Sequence, residues 1–129
     1  MPAAVRVVEA EPEAAVSRVA VRAGDRPVDF AHLARQTSGN RELEREVLQL
    51  FVRQTESALF RIAAGETVAV HAHTLKGSAS GIGAWRVMRA ATAIEEAART
   101  GRPVRAEVEA LAFAVDEANA FIAQVLAGA

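Results

Sequence analysis

Apolar residues recur along most of this chain at steps of three and four, the spacing that stacks side chains on one face of an α-helix. The pattern is clearest from Thr67 onward, where Val68, Ala72, Leu75, Ala79 and Ile82 step by 4, 3, 4 and 3. These five predict the buried stripe of a bundle helix, with Gly81 and Gly83 expected to break it. A longer pattern precedes it, from about Asn40 to Ala64. There Val47, Leu48, Phe51, Ala58, Leu59 and Ile62 share a face and Gly65 is the stop. Another runs from about Ala84 to Thr100 through Val87, Ala91, Ile94 and Ala98, ending at Gly101. Pro103 is expected to open the last helix at a position that tolerates proline, with Val108, Leu111, Val115, Ala118, Ile122 and Val125 as its stripe. Ahead of these four, Asp29 is placed to N-cap a short helix, FAHLARQ, that stops at Ser38-Gly39.

Connections between the four long patterns are short, which favours antiparallel neighbours. The predicted fold is all-α: an up-down antiparallel four-helix bundle with a short additional N-terminal helix. Residues 1–26 do not share the pattern. They are rich in Ala, Val, Glu and Arg, carry Pro2 and Pro12, and are expected to form a poorly ordered tail, with VSRVAVR as a possible extended segment. The bundle domain is expected over residues 27–129. Met1, and the little that follows Leu126, suggest a standalone chain.

Composition narrows the function. A chain of 129 residues, 51% hydrophobic, is one ordinary domain with material for a core. A net charge of −1 without any Lys/Arg block gives no nucleic-acid signal. The absence of cysteine excludes disulfides and thiolate metal sites. The N-terminus lacks the basic-then-apolar order of a signal peptide, and no uninterrupted apolar run approaches the ~18 residues of a membrane span. A soluble, cytoplasmic protein that binds neither nucleic acid nor membrane is expected.

The candidate chemistry lies in HAHTLKGSASGIG, from His71 to Gly83. With the buried stripe taken as the inward direction, His73 follows Ala72 and falls about a quarter turn off it. Ala69, His73, Lys76, Gly77 and Ser80 share that flank. His73 is therefore expected to be accessible, with the Lys76 charge one turn on and no side chain at Gly77. Glycine within a helix costs about 1 kcal/mol relative to alanine, so something should offset it. Close approach of a neighbouring helix is one explanation, and close approach of a partner protein is the other. Neutral imidazole is a good nucleophile near pH 7, and a nearby lysine can neutralise transferring phosphoryl oxygens.

His73-Thr74-Leu75-Lys76-Gly77-Ser78, with Ala72 before it and Ile82-Gly83-Ala84 after it, closely resembles the motif of the histidine-containing phosphotransfer (HPt) domain family. The resemblance covers about Thr67 to Arg99 by motif, and about Val28 to the C-terminus by architecture. It implies that His73 is phosphorylated on a ring nitrogen, most often Nε2, that Lys76 stabilises the phosphoryl charge, and that Gly77 lets a receiver domain reach the ring. It implies receiver domains of response regulators or hybrid histidine kinases as partners, with the phosphoryl group relayed between their aspartates. It implies no ATP site and no cofactor of the chain's own, any Mg²⁺ entering with the receiver. No P-loop is present in the sequence. A monomer is expected, with a transient interface.

Receivers of this family dock beside the histidine, partly on the first helices. Ser80, Phe30, Leu33, Leu43, Val47 and Leu50 are the candidate docking residues, with closure of the bundle end as the alternative role. Trp85 is expected to pack rather than to contact a partner. His71 lies outside the motif and about 200° around the helix from His73. A metal site built from His71, His73 and His32 is disfavoured, because residues two apart on a helix diverge. Of Glu95 and Glu96, one is expected on the flank and one in solvent, with no acid–base role. The competing function is a helical-bundle adaptor that binds a receiver or kinase without carrying phosphate.

Overall fold

The structure, a computed structural model, describes residues 26–128. The tail expected over residues 1–26 therefore lies outside the described residues apart from Arg26. Five helices follow in order: α1 (Phe30–Gln36), α2 (Arg41–Ala63), α3 (Val68–Ile82), α4 (Trp85–Arg99) and α5 (Arg105–Gly128). Local chemistry starts the first two. The Asp29 carboxylate accepts the His32 backbone N–H at 3.1 Å, and the Asn40 side chain accepts that of Leu43 at 2.9 Å. Each satisfies one of the unpaired donors at a helix N-terminus.

Helix α2 packs on α3 and α5, and α4 packs on the same two, which closes the four long helices into a ring. Neighbours run antiparallel. Arg45 of α2 reaches the Leu126 carbonyl of α5, whereas Thr55, further along α2, meets Asn119, further back along α5. The short α1 lies against α3, and the Thr37 hydroxyl at its end donates to the Leu33 carbonyl and to Glu44 of α2. The interior is built from Leu48, Phe51, Leu75, Ile94, Leu111 and Ile122. Burying one such side chain contributes about 1.5–3 kcal/mol. Half of the buried side chains of α3 and α4 are alanine, Ala72, Ala79, Ala91 and Ala97, and these two helices pack most closely. Close approach lets polar side chains on the rim of the two helices touch across the seam.

Three expectations about the elements are corrected. Helix α3 runs through Gly81 and ends only at Ile82, because Gly83, not Gly81, adopts the left-handed conformation. The α4 stripe ends on Ala97, 1% exposed, rather than on half-buried Ala98, although the two lie on either side of the line through Ile94; packing against the neighbouring helices, not the repeat, decides between them. Helix α5 begins at Arg105, leaving Pro103 in the connection. Thr55 also joins the α2 stripe, fully buried, because Asn119 supplies a hydrogen bond to its hydroxyl. Helix α5 reaches a mean hydropathy of 1.4 over an 18-residue window, long and apolar enough to cross a membrane by composition. In the fold its Leu111, Val115, Ala118 and Ile122 are bundle core.

Candidate functional site

His73 sits in the middle of α3, one residue after fully buried Ala72. Glu95 holds the matching place on α4, one residue after fully buried Ile94. Both are thereby brought to the rim of the closely packed α3–α4 seam. Glu95 Oε2 lies 2.8 Å from His73 Nδ1, and its Oε1 lies 2.8 Å from Lys76 Nζ. One carboxylate thus ties together the histidine and the lysine of the sequence motif. A carboxylate only accepts, so Nδ1 must be the protonated nitrogen of the neutral ring. The lone pair is left on Nε2. That nitrogen has no hydrogen-bond partner among the described residues, and the His73 side chain is 66% exposed. The hydrogen bond from Lys76, and then that from His73, hold the Glu95 carboxyl below the usual glutamate range. Glu95 is therefore a charged acceptor at neutral pH.

The surface around the ring is low. A Cβ added at Gly77 would meet nothing within 4 Å, and the same is true at Gly81. No neighbouring helix requires a glycine at position 77, which removes the packing explanation for it. Gly83 is different. It has φ +77°, and a Cβ there would fall 2.8 Å from the Asp29 Cβ. The Asp29 N–H donates to the Gly83 carbonyl at 3.0 Å, and Trp85 Nε1 donates to the Asp29 carboxylate at 3.2 Å. His32 Nε2 donates to the Ser80 carbonyl at 2.9 Å, with its ring edge-on to Trp85. These contacts clamp α1 to the C-terminal end of the histidine helix.

The candidate docking residues separate into two groups. Leu33, 1% exposed, is core, so its expected docking role is corrected: it faces into the bundle. Phe30 is half-buried against Phe121, and Val47 is also half-buried. Leu43 and Leu50 are exposed, at 40% and 44%. Ser80 is half-buried with its carbonyl committed to His32. The Ser78 hydroxyl donates to Gln54 of α2, which sets Leu50, one turn earlier on α2, beside the Gly81 end of α3. Trp85 packs on α1, as described above.

Glu95 is the flank carboxylate of its pair, whereas Glu96 is exposed and bonded to Arg99. The sequence carried a signal for Glu95 that went unused: it follows a stripe residue of α4 just as His73 follows one of α3. What periodicity alone cannot supply is the register that puts the two opposite each other. His71 is half-buried and His32 is engaged with Ser80. Among the described residues no group of three or more His, Asp or Glu side chains is placed to hold a metal ion.

No curated protein matches the chain significantly. A family model described as "Hpt domain" matches residues 44–128, which is more than half of the chain and includes His73, Lys76, Gly77 and Glu95. An all-helical bundle with an exposed histidine on its third helix, and a match of that extent, place the chain in the Hpt domain family, whose general function is histidine phosphotransfer in phosphorelays.

Proposed function

We propose that this protein carries a phosphoryl group on His73 Nε2 between the aspartates of two receiver domains. The observation that carries the reading is the bond from Nδ1 to Glu95, which leaves the outward nitrogen as the nucleophile. The Nε2 lone pair attacks the phosphorus of the donor's aspartyl phosphate. The P–O bond to the aspartate breaks, and the aspartate leaves as a carboxylate with the electron pair. The ring accepts positive charge and keeps its proton on Nδ1, donated to Glu95. Lys76, held on the other oxygen of Glu95 one turn from the ring, offsets charge on the phosphoryl oxygens from that position. The open surface at Gly77 admits the receiver's active-site loops. Transfer to the second receiver reverses each step.

Mg²⁺ belongs to the receiver in this reading. Among the described residues one carboxylate is bonded to His73, and both of its oxygens are taken by His73 and Lys76. The protein acts in the cytoplasm as a monomer, meeting receivers through a transient interface. The test is transfer from a phosphorylated receiver domain, followed by intact mass and by acid lability of the label, in wild type and His73→Gln. Label on wild type alone is expected. Receiver binding without label in either protein would overturn the carrier and leave the adaptor. Equal label on both would move the site away from His73.

A further inference from the structure

The Glu95 carboxylate does more than select a nitrogen, because its charge bears on what happens after transfer. We propose that Glu95 keeps the phosphorylated His73 ring protonated at Nδ1 and so holds the phosphoryl group in its labile, readily transferred form. This rests on the phosphoryl-carrier reading above.

The argument is one of leaving groups. Attack by Nε2 gives an N-phosphoimidazolium, with phosphorus on Nε2 and the proton on Nδ1. If that proton stays, breaking the P–N bond returns the electron pair to a ring that departs as neutral imidazole. If the proton is lost to solvent, the same cleavage must expel an imidazolide anion, a far poorer leaving group. Retention of one proton therefore separates a phosphoryl group ready to move from one that is stored. The group that governs retention is the one on Nδ1, and here it is an anion at 2.8 Å. A charged acceptor stabilises a cationic donor more than a neutral amide would.

The other charges beside the ring define how far this effect reaches. Lys76, on the same helix, opposes a positive ring, but its ammonium is held on the second oxygen of Glu95. Next to Glu95 along α4, Glu96 is paired with Arg99 one turn on. From α1, Asp29 and His32 are committed at the Ser80 end of α3, and α2 reaches α3 through neutral Gln54. Glu95 is thus the anion in contact with the ring.

The experiment labels His73 with phosphoramidate, a small donor that phosphorylates histidine without a receiver. The decay of the label is then followed from pH 5 to pH 9 in wild type, Glu95→Gln and Lys76→Met. The Nδ1 proton of the labelled ring is followed in parallel by ¹⁵N NMR. Glutamine keeps an acceptor oxygen, so a merely structural role predicts superimposable profiles. The proposal predicts that decay in Glu95→Gln falls off at a pH about one unit lower than in wild type, the low end expected for an exposed charge pair. On the alkaline side that is an approximately tenfold longer life of the label. Lys76→Met, which leaves Glu95 to the ring alone, shifts the profile the other way. Coincident profiles for wild type and Glu95→Gln, or a shorter-lived label in the variant, overturn the proposal while the carrier reading stands. Failure of His73 to accept label from either phosphoramidate or a phosphorylated receiver overturns both.

Discussion

His73, Lys76 and Gly77 stand within one turn of one another, so helix periodicity alone puts them on a common flank. Glu95 stands 22 residues from His73, and only the packing of α4 on α3 brings it to Nδ1. Leu33 shows the opposite failure. Its apolar character fits a docking face as well as a core, and only the position of α1 decides for the core. Gly77 offers the sharpest separation of stability from function. Nothing lies within 4 Å of a Cβ at that position, and the residue is exposed in mid-helix. Gly77→Ala is therefore expected to raise stability by about 0.5–1 kcal/mol, measured by urea unfolding. Gly77→Gln should also fold at least as stably, yet lower the rate of transfer from a phosphorylated receiver by at least about tenfold, because its side chain stands between the partner and the ring. A glutamine variant that transfers at the wild-type rate would show that the low surface there serves nothing in the relay.

Among the elements, α1 is the one whose position depends on a few bonds rather than on a long apolar stripe. Its anchor is Asp29, which accepts from the His32 backbone and from Trp85 Nε1. These hydrogen bonds, the one from His32 foremost, hold the Asp29 carboxyl below the usual aspartate range. A depressed carboxyl contributes stability that is complete above the unfolded value of about 3.9 and is lost as pH falls through the lower folded value. Acid below about pH 4 should thus loosen α1 from the bundle. The chain's single tryptophan reports it: Trp85 fluorescence should titrate there ahead of the helical circular-dichroism signal. In Asp29→Asn, which retains a capping side chain but cannot ionise, that early phase should vanish. Gly83→Ala attacks the same junction sterically. With φ +77° and a Cβ 2.8 Å from that of Asp29, it should destabilise by about 2–3 kcal/mol in urea unfolding, in contrast to Gly77→Ala. The sequence marked both Gly81 and Gly83 as helix breakers, since both are the same residue type two positions apart. Their difference is tertiary: α1 crosses at Gly83 and leaves Gly81 open.

The whole molecule sets which face a partner can use. Four stripes at helical spacing were enough to foresee a bundle, because each apolar face needs another to bury it. The ring order, by contrast, is written in pair contacts that no single stripe contains. That order puts α3 next to α2 and α4, with α5 diagonally across. Exposed Leu50 stands on α2 beside the Gly81 end of α3, about 13 Å along the bundle axis from His73 at 1.5 Å per residue. A standard interface covers about 800 Å² on each partner, a patch roughly 30 Å across, so Leu50 lies within one such patch of His73 and is the exposed apolar residue to test as its α2 edge. Phe113, 73% exposed, lies on α5 and outside any such patch. Leu50→Arg should accordingly weaken receiver binding by about tenfold, the typical effect of disturbing one contributing interface residue. Labelling of His73 by phosphoramidate should be unchanged, since that donor needs no docking face. Phe113→Arg should leave both the receiver's affinity and the transfer rate at their wild-type values. Titration calorimetry with a receiver domain, paired with single-turnover transfer, measures the two effects separately. Loss of binding in Phe113→Arg with none in Leu50→Arg would put the receiver on the α5 side, out of reach of His73, and the relay could not run through this histidine.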